Sequence, residues 1–192
     1  MEKIKRINRE LVHEGNVIDL YEDTMLLPNG KTEKWDLVHH RMGAACVLPV
    51  LPDGRIVMVH QQRPAIERLT LEVPAGKRDS LDEDTIVCAK RELEEETGYS
   101  SDDISLLCKL RTTVAFCDEF IDVYVAKNIY SIGEQHLDES EEIDVEAFEL
   151  DELIRRVYAG EIQDSKTVSA IMCYAYQVNG QEDTQEKMAE YW

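Results

Sequence analysis

The chain has 192 residues, 43% of them hydrophobic, which is enough for one domain with a sizeable core, alone or with an appendage. Its 40 acidic residues outnumber its 21 lysines and arginines and give a formal net charge of −19. A surface of this charge repels polyanions, so we expect no nucleic-acid partner. The N-terminal segment lacks an apolar signal core, and no apolar run is long enough to cross a membrane. We therefore expect a cytoplasmic protein with no membrane partner.

The cysteines and histidines show no metal-binding pattern. The five cysteines are odd in number, widely spaced and without a CxxC pair, so we expect buried free thiols. The five histidines lack the HxxxH and HExxH spacings of zinc sites, and we assign them no metal role.

Two strand patterns near the N-terminus, at 16–27 and 32–40, flank a Pro-Asn-Gly turn signal at 28–30. Alternating residues on either side of such a turn predict a β-hairpin, which here precedes the main fold.

Further strands are predicted at 43–50 and 55–61, separated by a Leu-Pro-Asp-Gly turn that predicts a second hairpin. Two later apolar runs, at 104–110 and 120–126, also predict strands.

The stretch between these strand pairs predicts a glycine turn followed by an acidic helix. Ser80 and Glu83 have the spacing of a capping box, and Gly98 has the position of a C′ glycine. The helix is therefore predicted over roughly 82–97.

Three carboxylates of this helix, on Glu92, Glu95 and Glu96, fall within an arc of about 100°. Like charges at i and i+4 oppose a helix unless a cation lies between them, and hard oxygen ligands suit Mg²⁺ or Mn²⁺. Arg91 is placed to pair with Glu95 across one turn. The alternative is a solvated acidic helix face.

The same residues resemble the signature of the Nudix hydrolases, G-x5-E-x7-R-E-U-x-E-E-x-G-U, in which U is a bulky apolar residue. The matching positions are Gly76, Glu83, Arg91, Glu92, Leu93, Glu95, Glu96, Gly98 and Tyr99. Six residues instead of five separate the first glycine from the first glutamate, which leaves the register of the later carboxylates unchanged.

Over nearly its whole length the chain resembles the ADP-ribose pyrophosphatase branch of that family. The resemblance implies an α/β fold, the Nudix α/β/α sandwich with a mixed sheet, preceded by an N-terminal antiparallel β hairpin or sheet. It divides the chain into an N-terminal β domain at 1–41, a Nudix hydrolase domain at 42–180 and a polar tail at 181–192. In this branch the N-terminal sheet forms intertwined homodimers, so we expect a homodimer.

The resemblance also implies the metal ligands. The segment Leu71–Gly76 is similar to the family's E-L/I-P-A-G, in which the alanine carbonyl coordinates a metal, and this role falls on Ala75. The other implied ligands of Mg²⁺, or of Mn²⁺, are Glu92, Glu95 and Glu96.

Three implied substrate contacts lie before the helix. Trp35 matches the position at which some members stack adenine, although a tryptophan on a strand can equally serve packing. Arg63, in a segment that resembles Q-Y/F-R-P-A, would reach a substrate phosphate, the alternative being a solvated arginine. Glu72 would lie in the site, the alternative being the wet face of a strand.

The fourth implied substrate contact is Glu119. Where the branch has S-P-G-F-x-D-E, residues 113–119 keep Phe-x-Asp-Glu and lack the Pro-Gly. This loop borders the terminal ribose in the family, so its change weakens the assignment to ADP-ribose.

The general base implied by the resemblance is Glu141, at the start of the strand pattern 143–150, with the neighbouring acids of 134–142 as alternatives. Helical periodicity follows at 151–160 and 165–178. The intervening segment 160–167 resembles G-E-I-x-D-A-K-T.

These features predict metal-dependent hydrolysis of the pyrophosphate bond of ADP-ribose or a related nucleoside diphosphate sugar, giving a nucleoside monophosphate and a sugar phosphate. Glu95 and Arg91 are also expected to be catalytic residues, with Arg91 holding Glu95 in position. The alternatives are another nucleoside diphosphate substrate such as GDP-mannose, or an inactive Nudix domain that binds or regulates. The intact carboxylates argue against an inactive domain.

Overall fold

The structure is a computed structural model that describes residues 3–137 and 142–179. The strands in this part of the chain are β1 (Lys5–Glu14), β2 (Ile18–Leu26), β3 (Thr32–His40), β4 (Ala44–Pro49), β5 (Ile56–Arg63), β6 (Arg68–Glu72), β7 (Ala75–Lys77), β8 (Tyr99–Ser100), β9 (Asp103–Arg111), β10 (Phe120–Lys127), β11 (Tyr130–Ser131) and β12 (Ile143–Phe148). The helices are α1 (Thr85–Thr97), α2 (Leu150–Tyr158) and α3 (Ser165–Asn179). The tail assigned to 181–192 lies outside the described residues.

The central sheet has the order β7-β4-β10-β9, in which β4 and β10 are parallel and the other pairs antiparallel. Alternate residues of β4 enter two separate cores: Ala45 and Val47 pack with α1, whereas Cys46 and Leu48 pack with α3. Helices therefore cover both faces of a mixed sheet. The predicted α/β class and sandwich are confirmed.

An antiparallel sheet of order β1-β2-β3 precedes this sandwich, and the predicted first hairpin is its β2-β3 pair. The turn is closed by hydrogen bonds from Leu27 N to Lys31 O and from Gly30 N to Leu27 O. The strand β1 was not predicted, because nearly all of its residues are exposed and no buried face imposes an alternation on its sequence.

The predicted second hairpin is wrong in its pairing. A turn does follow β4, and Val50 and Ile56 form an isolated bridge, but β5 belongs to a different sheet of order β12-β5-β6. The whole of β4 and the first four residues of β5 are apolar and buried, so each strand lies inside its own sheet rather than along a shared edge.

The predicted start of α1 is also wrong by three residues. The helix begins at Thr85 after Asp84, and the carboxylate of Glu83 instead accepts a hydrogen bond from Asp79 N at 2.7 Å within the preceding turn. The predicted end is confirmed, because Gly98 has φ +69° and its N–H bonds to Glu94 O.

Arg78 holds this preceding turn, which contains the extra residue of the signature. Its guanidinium donates to Met42 O at 2.6 Å, to Leu81 O at 3.0 Å and to Glu83 O at 3.2 Å. One arginine thus fastens the enlarged turn to the end of the N-terminal sheet and to the start of α1.

The remaining predicted elements are present. The two apolar runs after α1 form β9 and β10, and the two helical segments form α2 and α3. The five cysteines are free, as expected, but only Cys46 and Cys88 are fully buried. In the part of the chain that the structure describes, no helix has the length and apolar character needed to span a membrane.

The loop between β9 and β10 adds to the N-terminal sheet. Val38 and Cys117 form a parallel bridge, with hydrogen bonds from Val38 N to Phe116 O at 2.7 Å and from Asp118 N to Val38 O at 3.2 Å. The His39 ring nitrogen Nδ1 lies 2.6 Å from Asp118 Oδ2. The loop that departs from the family pattern is therefore attached to the strand that carries Trp35.

Candidate active site

Helix α1 brings the signature glutamates to Arg91. Arg91 Nη1 donates to Glu92 Oε1 at 2.7 Å and to Glu95 Oε2 at 2.9 Å, so the predicted pairing across one turn is present. Arg91 Nε lies 3.4 Å from Glu83 Oε1. Burial opposes the charge of Arg91, but Glu92 and Glu95 outweigh burial and raise the pKa of the guanidinium. Arg91 therefore orients two of the proposed metal ligands.

The backbone of β7 lies directly against these glutamates. Ala75 N donates to Glu96 Oε2 at 3.1 Å, and Glu96 is only 3% exposed. A β-carbon at Gly76 would lie 1.9 Å from Glu92 Oε1, so only glycine leaves room for that carboxylate. The lack of space for any side chain thus explains why the signature has a glycine at this position in this fold.

A cavity of about 460 Å³ lies beside Arg91, Glu92, Glu95 and the start of β7, whereas the predicted residues Glu96 and Glu72 are not part of its lining. Five of the predicted site residues line it: Arg63, Ala75, Arg91, Glu92 and Glu95. Five further lining residues were not predicted as site residues: Gln61, Gly76, Lys77, Asp79 and His136. His136 reaches the cavity because its N–H bonds to Glu95 O at 2.8 Å, which fixes the loop against the end of α1. A single loop histidine has no spacing from which sequence could assign this position.

The donors of this cavity suit a hard divalent cation. Carboxylate oxygens of Glu92 and Glu95 and the backbone carbonyl of Ala75 belong to residues of one wall, and oxygen ligands of this kind are those preferred by Mg²⁺ and Mn²⁺. Within residues 3–137 and 142–179 no three acidic, histidine or cysteine side chains are close enough to enclose an ion.

Arg63 is held at the edge of this cavity by Glu72. Arg63 donates to both Glu72 oxygens, from Nε at 2.8 Å and from Nη2 at 2.5 Å. Glu72 is 1% exposed, so it does not lie on a wet strand face, and it also accepts from Thr70 Oγ1 at 2.7 Å and pairs with Lys166 Nζ. Glu72 therefore fixes the orientation of the Arg63 guanidinium by hydrogen bonding.

The charges around Glu72 keep it ionised. Burial opposes its ionisation, but the hydrogen bond from Arg63 and the charge of Lys166 outweigh burial and lower the pKa of Glu72 to about 2. The Glu72 hydrogen bond in turn raises the pKa of Arg63. Both side chains thus carry full charge at neutral pH.

The structure does not bring every predicted site residue to this cavity. Trp35 is 41% exposed on the N-terminal sheet, opposite Asp23 of β2, and Glu119 Oε1 lies 3.6 Å from His40 Nε2. Neither side chain lines the cavity around Arg91. Glu141 lies outside the described residues.

Comparisons with known proteins identify the family of the chain. The family model of the NUDIX domain matches residues 39–170. The chain is 39% identical to an ADP-ribose pyrophosphatase of Bacillus subtilis over 168 residues, covering 87% of this chain and 90% of that protein. It is 40% identical to a methanol dehydrogenase activator of Bacillus methanolicus, with the same shares covered. It is 32% identical to an ADP-ribose pyrophosphatase of Mycobacterium tuberculosis, covering 86% of this chain and 80% of that protein.

A solved structure described as an ADP compounds hydrolase superposes with a TM-score of 0.84 at 20% sequence identity, covering 95% of this chain and 97% of that one. This likeness shows the shared fold. The chain belongs to the NUDIX family, and it is a hydrolase that acts on pyrophosphate bonds.

Proposed function

We propose that the protein hydrolyses the pyrophosphate bond of ADP-ribose, or of a closely related nucleoside diphosphate sugar, in a reaction that requires Mg²⁺ or Mn²⁺. The products are a nucleoside monophosphate and a sugar phosphate. The observation that carries this proposal is a single cavity that combines the oxygen donors of Glu92, Glu95 and Ala75 with the guanidinium of Arg63. A pyrophosphate group requires both kinds of partner.

The metal ligands in this proposal are Glu92, Glu95, Glu96 and the carbonyl of Ala75. The bound cation supplies two kinds of chemistry, since it offsets the charge of the pyrophosphate and lowers the pKa of a coordinated water. The chain's own part is to present its carboxylates in one orientation, which Arg91 and the Ala75 N–H do by hydrogen bonding.

Arg63 is the proposed phosphate-binding residue. Its Nε and Nη2 are engaged by Glu72, whereas Nη1 has no acceptor among the described residues. A guanidinium fixed along one edge offers its remaining N–H groups in a defined direction, which favours a phosphate oxygen as acceptor. Glu141 is the proposed general base that removes a proton from the attacking water.

Two relatives support ADP-ribose as the substrate, since those of B. subtilis and M. tuberculosis are named ADP-ribose pyrophosphatases. The relative named methanol dehydrogenase activator is 40% identical, and its name specifies no substrate for the hydrolysis. GDP-mannose remains the alternative substrate.

The deciding experiment is a substrate panel on the purified full chain with ADP-ribose, ADP-glucose, ADP-mannose and GDP-mannose. Each substrate is incubated with Mg²⁺, with Mn²⁺ and with a chelator, and the products are identified by chromatography and phosphorus NMR. We expect AMP and ribose 5-phosphate from ADP-ribose only when the divalent ion is present. Glu96→Gln, prepared in parallel, excludes turnover by a contaminating hydrolase. Absence of turnover on every substrate with either ion contradicts the proposal.

A further inference from the structure

A row of four alternating charges, whose two inner members are buried, continues from Arg63 into the protein. Lys166, 7% exposed, places its Nζ 2.5 Å from Glu72 Oε2 and 2.9 Å from Asp164 Oδ2. The order of the row is Arg63, Glu72, Lys166 and Asp164, with two positive and two negative members. Only the Arg63 end lines the cavity with the signature glutamates.

We propose that Lys166 and Asp164 set the positive charge that Arg63 presents to the pyrophosphate of the substrate, and that Lys166 is a positioning residue of the phosphate site. The inference rests on the proposed function, because it assigns Arg63 to a phosphate. It gives a role to the segment 160–167, which the sequence had marked only by its resemblance to G-E-I-x-D-A-K-T.

The key contact in the row is the shared oxygen of Glu72. Glu72 Oε2 accepts from Arg63 Nη2 and also from Lys166 Nζ, so one carboxylate is divided between two cations. Without the lysine, Glu72 would neutralise Arg63 alone, and the row would hold two anions and one cation. A site with a net negative charge disfavours an anionic ligand, and the burial of Glu72 and Lys166 strengthens the interaction between their charges.

The second reason is that the first turn of α3 is rigidly attached to the strand leading into the site. Asp164 Oδ2 accepts from Thr167 N at 3.0 Å and from Thr167 Oγ1 at 2.7 Å, and Thr167 Oγ1 accepts from Val73 N at 3.1 Å. Lys166 is therefore held in one place beside Glu72. Asparagine is as good an N-cap residue as aspartate, so Asp164→Asn removes the charge and keeps the cap.

Two substitutions change the net charge of the row in opposite directions, and combining them restores the net charge. Lys166→Met removes a positive charge, Asp164→Asn removes a negative charge, and the double variant returns the row to zero. We expect KM for the nucleoside diphosphate sugar to rise about tenfold in Lys166→Met, to fall severalfold in Asp164→Asn, and to lie within about threefold of wild type in the double variant. The effect on kcat at saturating Mg²⁺ is smaller than on KM, because binding is what changes.

Lys90→Met is the matched control, since Lys90 is exposed on α1 and the substitution changes the net charge of the chain equally. Its KM should stay at the wild-type value. A double variant as poor as Lys166→Met, or a lower kcat at unchanged KM in Lys166→Met, overturns the inference. If Lys166→Met does not fold, Asp164→Asn decides alone, and an unchanged or raised KM overturns the inference.

Binding of inorganic pyrophosphate, measured by calorimetry on wild type and the same variants, separates this inference from the proposed function. We expect the same order of affinities, with Asp164→Asn tightest and Lys166→Met weakest. If no nucleoside diphosphate sugar is hydrolysed, the proposed function fails and this order still tests the charge row. Equal pyrophosphate affinities in all variants overturn the inference.

Discussion

The Glu92 carboxylate packs directly against Gly76: a β-carbon on the glycine would lie 1.9 Å from the glutamate's Oε1 and 2.2 Å from its Cδ. The glycine belongs to β7 and the glutamate to α1, so their contact is where the strand and the helix of the signature meet. Because the carboxylate is at the end of a flexible side chain, it is the group that would move if a side chain were added at position 76. The position of a proposed metal ligand therefore depends on the absence of a side chain opposite it.

We expect Gly76→Ala to displace the Glu92 carboxylate while the chain stays folded. A ligand moved by about 1 Å costs on the order of a hundredfold in rate, and the Mg²⁺ concentration for half-maximal activity should rise as well. Activity measured against Mg²⁺ concentration, together with the thermal midpoint Tm, checks both statements. Gly54→Ala is the control: it meets no atom within 4 Å, but its φ of +91° makes alanine strained, so it should lower Tm and leave the Mg²⁺ dependence unchanged.

Glu96→Gln should lower kcat by orders of magnitude with the fold preserved, because it keeps the volume of a buried side chain and removes a charged ligand. Steady-state kinetics at saturating Mg²⁺ provide the measurement. Glu94→Gln is matched to it on the same helix, where Glu94 bonds to Ser100 Oγ away from the cavity, and should keep near wild-type activity. Full activity of Glu96→Gln at saturating Mg²⁺ would remove Glu96 from the metal site.

Local features with a fixed spacing were predictable from sequence. The cluster on α1, its pairing with Arg91 and the C-terminal Gly98 depend on contacts between residues close in the chain, which helical geometry dictates. The destination of β5 was not predictable, because a buried apolar strand does not encode which sheet it joins. Lys166 was not predicted as a site residue, because its partner Glu72 is 94 residues away and local spacing does not encode such a contact.

The low pKa of Glu72 predicts a specific loss of stability in acid. A carboxyl whose pKa is lowered from 4.5 to about 2 in the folded state stabilises the protein fully above its ordinary pKa, and this stabilisation is lost as pH falls towards 2. The shift corresponds to roughly 3 kcal/mol in the free energy of unfolding. Denaturant unfolding at a series of pH values between about 5 and 2 should show this loss.

Glu72→Gln should be less stable at neutral pH, because Arg63 and Lys166 lose their shared anion, and should show a flatter pH dependence between the same limits. Asp53→Asn is the control, since Asp53 pairs with Arg55 on an exposed turn and should leave the pH profile near that of wild type. Equal pH profiles for Glu72→Gln and wild type would show that Glu72 is not the responsible group.

From the exposed apolar side chains of the N-terminal sheet we predict a homodimer. Within the described residues strand β1 pairs with β2 alone and leaves Ile7, Leu11 and Val12 about half exposed or more, and a small sheet with such exposed apolar side chains is marginal by itself. We expect light scattering to give a dimer for the full chain and a monomer for a chain that begins at Met42. Val12→Asp should weaken the dimer, whereas Lys3→Asp, ahead of β1, should not. A full-length monomer at micromolar concentration contradicts this prediction.

The final prediction concerns substrate choice, for which we propose that Trp35 contacts the base and the loop 113–119 the terminal sugar. If Trp35 stacks on the base, Trp35→Ala should forfeit about 1 to 3 kcal/mol of binding and raise KM roughly 5- to 150-fold, with a smaller effect on kcat. Tyr158→Ala removes an exposed aromatic residue on α2, 78% exposed against 41% for Trp35, and should leave KM unchanged.

The loop that lacks Pro-Gly should discriminate loosely among sugars, so that ADP-glucose or ADP-mannose is hydrolysed at a rate comparable with ADP-ribose. The bridge between Val38 and Cys117 and the pair of His39 with Asp118 attach this loop to β3, the strand of Trp35. Weakening the His39–Asp118 contact by Asp118→Asn should therefore change KM for every ADP-sugar together, because the strand of Trp35 loses one of its two attachments to the loop. Values of kcat/KM for ADP-ribose, ADP-glucose and GDP-mannose test both ends. A strong preference for ADP-ribose over ADP-glucose would show that the altered loop has no effect on sugar choice, and an unchanged KM in Trp35→Ala would assign Trp35 to the dimer interface.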